Sequence, residues 1–298
     1  MKVLLTGSAG QLGRHLRERV PGSIELICSA RNGGDYPCDL VDENAVLNML
    51  DQLQPDAVIN AAAWTAVDDA EDEGELAFRL NSDLPALLAD WCSEHDTVLL
   101  TYSTDYVFRG QPGRAWREHD ATAPVSAYGQ SKLAGEQAVL SSGARAFLVR
   151  TAWVYSALAG NFLSAILARA ARGENLRVVS DQVGSPTWAG ELARASWVLL
   201  QRCADELKQP ELVHIAGRGS MSWYQFATLA VSRAVAAGVI EQAVEVTPIA
   251  SSDWPQKAQR PAWSVLDCER YEQCTGGGLM DIETSLSACL SQWDNWTC

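Results

Sequence analysis

Residues 2–13 read Lys2-Val3-Leu4-Leu5-Thr6-Gly7-Ser8-Ala9-Gly10-Gln11-Leu12-Gly13, a short apolar run followed by three glycines. The apolar run predicts a buried strand, and the residues from Gln11 onward predict a helix. The glycines between them have the spacing G-x-x-G-x-x-G. Such a strand-to-helix junction presents backbone N–H groups at a helix N-terminus, where a dinucleotide pyrophosphate can bind. The segment therefore predicts an α/β fold with a dinucleotide site.

Short apolar runs alternate with longer helical patterns as far as Arg150. This alternation is typical of parallel strands joined by helical crossovers, so the predicted fold class is α/β with a doubly wound parallel sheet. The predicted strands are Lys2–Thr6, Ile24–Cys28, Ala57–Asn60, Val98–Tyr102 and Phe147–Arg150. The predicted helices between them are Gln11–Val20, Glu43–Gln52, Glu75–Glu94 and Ser126–Leu140.

The pattern after Arg150 is looser and predicts a smaller C-terminal lobe. Its predicted helices are Asn161–Ala171, Ala189–Cys203 and Trp223–Ala237, and its predicted strands are Leu176–Val179 and Leu212–Ile215. We therefore expect a dinucleotide-binding domain at residues 1–150. Residues 151–298 are expected to form mostly a substrate-binding lobe, with some segments returning to the core of the sheet.

Composition excludes several classes of protein. The chain has 298 residues, with 23 Lys plus Arg against 37 Asp plus Glu, a net charge of −14 that makes nucleic acid and anionic membranes poor partners. No apolar run approaches the roughly 20 residues of a membrane span, and no signal peptide is recognisable, so we expect a cytoplasmic location. The eight cysteines, Cys298 among them, lack C-x-x-C spacing and are expected to be free thiols.

The chain after the second predicted strand bears on the choice of cofactor. It reads Cys28-Ser29-Ala30-Arg31-Asn32, without the acidic residue that would bind a ribose 2′-hydroxyl. An arginine here can pair with a 2′-phosphate, so Arg31 favours NADPH, with NADH as the alternative. The competing interpretation of Arg31 is an ordinary solvated loop arginine.

Three residues form a candidate catalytic group. Tyr128 and Lys132 are four residues apart in a predicted helix, so their side chains project from one face. An ammonium group beside a phenol is expected to lower the phenol pKa from about 10 towards neutrality. Thr104 follows the fourth predicted strand, at the carboxyl edge where open α/β sheets bind ligands. We therefore predict that Thr104, Tyr128 and Lys132 are catalytic.

Motifs spread over the whole chain resemble those of the dTDP-4-dehydrorhamnose reductase family, which are extended short-chain dehydrogenases/reductases. The similar segments are Gly7-x-x-Gly10-x-x-Gly13, Asn60–Asp68, Ser103–Phe108, Tyr128–Glu136, Arg150–Tyr155 and Arg260-Pro261. The run Ala66-Val67-Asp68-Asp69-Ala70-Glu71 is more specific to this family than the superfamily motifs are. The resemblance implies a Rossmann-type sheet with a smaller C-terminal substrate-binding lobe.

The resemblance also implies a reaction, the NADPH-dependent reduction of the C4 ketone of dTDP-4-dehydro-L-rhamnose to dTDP-L-rhamnose. Tyr128 would donate the proton, Lys132 would hold the nicotinamide ribose, and Thr104 would hydrogen-bond the substrate oxygen. The implied cofactor-binding residues are Gly7, Gly10, Gln11, Leu12, Gly13, Arg31, Asp39, Leu40, Ala61, Ala62, Ala63, Tyr128 and Lys132. The implied substrate-binding residues are Thr65, Val67, Thr104, Asp105, Tyr106, Trp153, Asn161 and Arg260.

Two of the substrate-binding residues have a competing structural interpretation. Trp153 would stack on or wall the thymine or sugar pocket, or it is a core aromatic, since the chain has 11 Trp. Arg260 would pair with the diphosphate, or it forms a surface salt bridge.

Several alternatives stay open. The chain could reduce another dTDP-4-keto-6-deoxysugar, because the motifs do not specify the configuration produced at C4. A non-catalytic regulatory subunit of the methionine adenosyltransferase type is the second alternative, since fold does not guarantee function. Some family members are described as magnesium-bridged dimers. This chain has His15 and Gln292 at the relevant places, and Glu191 alone makes a poor magnesium site. We therefore predict no metal and leave monomer or homodimer open.

Overall fold

The computed structural model describes residues 1–111 and 113–293, so Cys298 lies outside the described residues. In that range the strands are β1 (Lys2–Thr6), β2 (Glu25–Cys28), β3 (Ala57–Asn60), β4 (Val98–Thr104), β5 (Ala146–Thr151), β6 (Val154–Tyr155), β7 (Leu176–Val179), β8 (Val183–Gly184), β9 (Thr187–Trp188), β10 (Glu211–His214), β11 (Met221–Ser222) and β12 (Val246–Ile249). The α-helices are α1 (Gln11–Glu18), α2 (Glu43–Leu53), α3 (Gly74–Phe78), α4 (Leu84–Glu94), α5 (Ala127–Ser141), α6 (Phe162–Ala171), α7 (Ala189–Cys203), α8 (Trp223–Ala236), α9 (Glu269–Thr275) and α10 (Ile282–Leu290).

The largest sheet in the described range has six parallel strands in the order β10-β5-β4-β3-β1-β2. Strand β1 lies between β2 and β3, so the chain runs to one side of β1 for β2 and to the other side for β3. The loops that follow β1 and β3 therefore diverge and open a crevice at the carboxyl ends of the strands. This arrangement confirms the predicted doubly wound parallel sheet.

Both faces of the sheet are covered, which explains why β1 has no polar side. Val3 and Leu5 belong to a core cluster with Leu16 of α1 and Trp197 of α7, while Leu4 points to the opposite face. Adjacent residues of a strand point to opposite faces, so the run of buried apolar residues requires helices on each side.

The second half of the chain contributes to this sheet as well. Strand β10 pairs in parallel with β5, with Val213 beside Val149. It begins and ends one residue earlier than the predicted strand Leu212–Ile215. Helices α7 and α9 also pack on this sheet, through Trp197 and Tyr271, whereas most other elements after residue 151 surround a separate core cluster that includes Leu163 of α6, Phe226 of α8 and Leu286 of α10. Three two-stranded sheets, β8 with β11, β7 with β12 and β6 with β9, accompany it in the described chain.

The predicted helix Glu75–Glu94 is wrong in its middle, where a π-helical turn at Arg79–Asp83 separates α3 from α4. Pro85 has no N–H to donate to the carbonyl of Asn81, so the regular hydrogen-bond ladder cannot continue there. The buried Asn81 amide instead exchanges hydrogen bonds of 3.0 Å with the backbone N and O of Trp64 and donates to Ser131 Oγ. The Asn81 side chain in this π-helical turn therefore connects the loop after β3 with α5.

No helix in the described part of the chain is both long enough and apolar enough to cross a bilayer.

Candidate active site

A cavity of about 820 Å³ opens at the carboxyl ends of β1, β3, β4 and β5. Its walls come from the loops after these strands, from the start of α1 and from α5. It brings together fifteen of the predicted site residues, which are Gly10, Gln11, Leu12, Ala61, Ala62, Ala63, Thr65, Val67, Thr104, Asp105, Tyr106, Tyr128, Lys132, Trp153 and Asn161. Six others, Gly7, Gly13, Arg31, Asp39, Leu40 and Arg260, do not line it.

Two of those six, Gly7 and Gly13, lie beneath the cavity and allow the backbone segments to approach each other. Gly7 has a left-handed φ of +68°, and a Cβ there would come within 2.5 Å of Ala62 N. A Cβ on Gly13 would overlap the carbonyl oxygen of Gly7. Gly10 is the N-cap of α1 and has no side chain to cover that helix end. The cradle and the exposed helix N-terminus fit a dinucleotide pyrophosphate.

Arg31, Asp39 and Leu40 lie beyond β2, outside the cavity. Arg31 Nη2 is 3.3 Å from Asp39 Oδ1, and these side chains are 62% and 47% exposed. Leu40 packs against the apolar cluster that contains Leu4 and Leu50. A cofactor phosphate at Arg31 would have to share the guanidinium with Asp39, so the contact with a 2′-phosphate stays a prediction.

Tyr128 and Lys132 project from the same face of α5, whose first turn is capped by a 3.2 Å hydrogen bond from Gly129 N to Ser126 Oγ. The Tyr128 ring packs edge-on against Tyr106, with ring centroids 5.5 Å apart. Lys132 is buried, and its Nζ donates a 2.7 Å hydrogen bond to the carbonyl oxygen of Tyr102 in β4. The phenol and the ammonium therefore have fixed positions in the same wall of the cavity.

The expectation that Lys132 lowers the Tyr128 pKa is wrong for this structure. Burial raises the pKa of Tyr128 to about 12, and a hydrogen bond with Thr104 only partly opposes this rise. Burial also lowers the pKa of Lys132 to about 8, while the charge of Glu136 acts in the opposite direction. Desolvation disfavours both charged forms, and Lys132 is not among the groups that shift the pKa of Tyr128. Tyr128 is thus a phenol across the neutral range and is suited to donate a proton.

Thr104 and Asp105 form a buried polar pair beside this phenol. Thr104 Oγ1 accepts a 3.2 Å hydrogen bond from Tyr106 N and donates one of 3.1 Å to Asp105 Oδ1. Asp105 is 1% exposed. Burial raises its pKa to about 7, although hydrogen bonds with Ser264 and Thr104 pull that pKa down. A carboxyl group that titrates near neutrality therefore lies one hydroxyl away from Tyr128.

Trp153 forms a wall contributed by the second half of the chain. It has a left-handed φ of +46°, and its indole stacks on Trp223 with centroids 3.5 Å apart and planes 3° from parallel. Positive φ is unfavourable for a bulky residue and is found where surrounding packing enforces it, often at functional sites. Trp153 lines the cavity and also packs partly against the apolar cluster that contains Phe108 and Leu266.

Asn161 also lines the cavity, but its side chain caps α6. Its amide donates to the carbonyl oxygens of Ser156 and Leu158 at 3.1 and 2.6 Å, and its Oδ1 accepts from Ser164 N at 3.2 Å. Both amide hydrogens are thus committed to the fold. The predicted hydrogen bond from Asn161 to the substrate needs correction, because the cap leaves no amide donor for a ligand.

Arg260 lies in a second cavity of about 660 Å³ that adjoins the first and shares Thr65, Val67, Tyr106 and Trp223 with it. Its Nη2 is 2.8 Å from Asp68 Oδ2, and its side chain is 20% exposed. Arg169 and Arg177 line the same cavity. The salt-bridge interpretation of Arg260 is therefore realised, and the arginine still faces a cavity with two further cations.

Sequence reasoning missed Trp223 and Ser264. Trp223 opens α8 after a capping box formed by Ser222 and Gln225, which signals the start of a helix and not a ligand site. Ser264 lies in an irregular segment with no motif, and its contact with Asp105 joins residues far apart in sequence. A local pattern carries no signal for either residue.

Replacing Gly184 by alanine is expected to displace the Trp153 indole. A Cβ at Gly184 would lie 2.5 Å from Trp153 Cε2, so the ring must leave its stack on Trp223. We expect a higher KM for the substrate with little change in cofactor affinity, measured by steady-state kinetics and cofactor titration. Gly22→Ala is the matched control because nothing lies within 4 Å of its Cβ position. Equal kinetics for the two variants would contradict the assignment of Trp153 to the substrate wall.

The residues do not fit the magnesium site described for some relatives. Glu191 is paired with Arg194 at 2.7 Å and also accepts a hydrogen bond from Met280 N. His15 is buried against Trp188. Across the described ranges, no group of three or more His, Cys, Asp or Glu side chains could hold a metal ion.

A tyrosine and a lysine one helical turn apart, facing a cavity above a glycine cradle, place this chain in the class of short-chain dehydrogenases/reductases. Residues 1–295 match the family model described as the RmlD substrate binding domain. The chain belongs to this family.

Individual relatives agree over nearly the full length. The chain is 33% identical to the dTDP-4-dehydrorhamnose reductase of Shigella flexneri over 98% of each chain. It is 37% identical to a probable dTDP-4,6-dihydroxy-2-methyloxan-3-one 4-ketoreductase of Streptomyces antibioticus, over 97% of this chain and 93% of that protein. A crystal structure of dTDP-4-dehydrorhamnose reductase from Bacillus anthracis in complex with NADP has a TM-score of 0.88 at 28% identity, covering 98% of this chain and 99% of that one.

Proposed function

We propose that this chain is an NADPH-dependent reductase that converts the C4 ketone of dTDP-4-dehydro-L-rhamnose to the hydroxyl of dTDP-L-rhamnose. The observation that carries the proposal is the convergence of Thr104, Tyr128 and Lys132 in the wall of a cavity that continues to the glycine cradle. The relatives named as dTDP-4-dehydrorhamnose reductases support the choice of substrate.

The residues present fit NADPH. The cradle beneath the start of α1 would hold the pyrophosphate, and the small residues Ala61, Ala62 and Ala63 would let the cofactor lie close to the end of β3. Lys132 would hold the nicotinamide ribose from α5. When bound, NADPH supplies the hydride that reduces the ketone carbon.

The chain's own residues manage the oxygen of the ketone. Tyr128 donates its phenolic proton to that oxygen as negative charge develops on it. Thr104 lies beside the same phenol and orients the oxygen through a hydrogen bond. Because burial keeps Tyr128 protonated at neutral pH, the donor is in the correct state before each turnover.

The second cavity is suited to the nucleotide part of the substrate. Arg260, Arg169 and Arg177 supply positive charge for a diphosphate, and Trp223 and Trp254 supply aromatic faces. We accordingly assign cofactor binding to residues 1–150 and sugar-nucleotide binding mostly to residues 151–298. Cytoplasmic location is part of the proposal, and monomer and homodimer are both compatible with it.

The test is NADPH oxidation with enzymatically generated dTDP-4-dehydro-L-rhamnose, followed by NMR of the product. We expect turnover, and a C4 configuration that identifies dTDP-L-rhamnose. NADPH binding without turnover would contradict the proposal and favour the regulatory alternative. Faster turnover of a different dTDP-4-ketosugar would favour the alternative in which the chain reduces another dTDP-4-keto-6-deoxysugar, and the name of the Streptomyces relative is a reason to test it.

Replacing Arg31 by alanine should weaken NADPH more than NADH. A charge-assisted hydrogen bond contributes about 1.5–3 kcal/mol, so we expect roughly a tenfold or larger loss for NADPH alone. The measurement is fluorescence titration with both cofactors. Arg79→Ala is the control, because Arg79 is an exposed arginine paired with Glu75 and lines neither cavity. An equal loss for both cofactors would show that Arg31 does not contact the 2′-phosphate.

A further inference from the structure

The reduction leaves a chemical requirement that Tyr128 alone does not meet. After it gives its proton to the substrate oxygen, Tyr128 is a phenolate inside a buried site, and it must regain a proton before the next turnover. Burial makes this phenolate strongly basic, since it raises the pKa of the phenol to about 12. A nearby group that can release a proton at neutral pH would speed the reprotonation of Tyr128.

Asp105 is placed to be that group. It lines the active-site cavity, yet its side chain is 1% exposed. Its Oδ1 is 3.1 Å from Thr104 Oγ1, and the same hydroxyl is close enough to the Tyr128 phenol to lower the pKa of Tyr128. The Thr104 hydroxyl therefore lies between the Asp105 carboxyl group and the Tyr128 phenol.

Within the described residues, no cation is among the groups that set the pKa of Asp105. From its own turn it faces the Tyr106 phenol, from α5 the Tyr128 phenol, and from the segment after Arg260 the Ser264 hydroxyl. Two cationic side chains of this region have other partners, Lys132 the carbonyl of Tyr102 and Arg260 the carboxylate of Asp68. A buried carboxylate with only hydroxyl partners is unfavourable, which stabilises the protonated acid.

We propose that Asp105 stores the proton that returns Tyr128 to its phenol form, and that Thr104 passes it on. The inference rests on the proposed reductase function. When Asp105 is protonated, the 3.1 Å hydrogen bond runs from its carboxyl group to Thr104 Oγ1, and in this step that O–H bond of Asp105 breaks as a new one forms on Thr104 Oγ1. The original Thr104 O–H bond breaks as the Tyr128 O–H forms. Asp105 becomes a carboxylate and recovers a proton from water in the cavity once the product has left.

Asp105→Asn tests the relay, because an amide keeps the size and hydrogen bonding of the side chain but has no acidic proton. In rapid mixing with excess substrate, we expect the first turnover of this variant to be faster than its own later turnovers, whatever the substitution does to substrate binding. Later turnovers should be about tenfold slower or more, so that a burst equal to the enzyme concentration appears. If the first and later turnovers slow equally, or if neither slows, the relay is wrong.

The pH profile supplies a readout that a merely structural role would not change. The wild-type kcat should fall as pH rises through about 7, because Asp105 then loses the stored proton. Asp105→Asn should lack this decrease. Ser264→Ala removes a hydrogen bond that lowers the Asp105 pKa, so it should move the decrease to higher pH. A decrease that stays in place in both variants would overturn the proposal.

Infrared spectroscopy tests the stored proton without turnover. Difference spectra between about pH 6 and about pH 8 should show a carboxylic acid band that titrates in the wild type and is missing in Asp105→Asn. Absence of the band from the wild type would overturn the relay even in an active reductase. A wild type that shows the band but no turnover would instead defeat the proposed function, and the relay with it.

Discussion

Tyr128→Phe should lower kcat by about two to four orders of magnitude while NADPH affinity stays nearly unchanged. The substitution removes the only atom of Tyr128 that can donate a proton. The ring that packs edge-on against Tyr106 at 5.5 Å remains, so the cavity wall should keep its shape. The measurement is a comparison of kcat with the NADPH dissociation constant.

Tyr224→Phe is the matched control, because Tyr224 lies on α8 and lines neither cavity. It should behave as the wild type in both measurements. A Tyr128→Phe enzyme with full turnover would exclude Tyr128 as the proton donor. A variant that lost NADPH binding to the same extent as turnover would show that the phenol acts on the cofactor instead.

Glu136→Gln should reduce the free energy of unfolding by about 3–5 kcal/mol. Glu136 on α5 and Arg150 on β5 form two hydrogen bonds, Nε to Oε1 at 2.8 Å and Nη2 to Oε2 at 2.6 Å. Their side chains are 1% and 3% exposed. Loss of the carboxylate leaves the Arg150 guanidinium buried without a counter-charge. An uncompensated buried charge strongly destabilises the folded state. Urea denaturation at neutral pH measures the effect.

Glu75→Gln provides the control for that experiment. Glu75 pairs with Arg79 at 2.9 Å, but the side chains are 84% and 53% exposed. An exposed pair contributes about 0–1 kcal/mol, so little change is expected. The double substitution Glu136→Leu with Arg150→Met should recover part of the loss, because it removes both buried charges. Equal destabilisation by Glu136→Gln and Glu75→Gln would contradict this account of the pair.

The Glu136–Arg150 pair also supports the active site through α5. Glu136 is four residues after Lys132 on the same helix, and its charge raises the pKa of that buried lysine against the larger effect of desolvation. A salt bridge beside the catalytic face therefore contributes to stability and to the charge state of Lys132.

Local pattern was enough to predict much of the fold. The apolar runs of β1, β3 and β5 are buried on both faces, so they stand out without knowledge of their neighbours. The glycines after β1 and the spacing of Tyr128 and Lys132 follow from strand and helix geometry, which short segments encode. The break in the predicted helix Glu75–Glu94 was missed, although Pro85 marks it, because the compensating contacts of Asn81 come from Trp64 and Ser131.

The charge states of the site belong to the tertiary structure alone. Sequence spacing placed an ammonium near a phenol and suggested a lowered pKa for Tyr128, but burial raised that pKa. Burial likewise raises the pKa of Asp105 to about 7, and one of the hydrogen bonds that oppose this rise comes from Ser264, which is remote in sequence. Sequence by itself determined which chemical groups are present and where on each element they lie. Only the folded chain decided how much water they lose and which partners they meet, because desolvation is a property of three-dimensional packing.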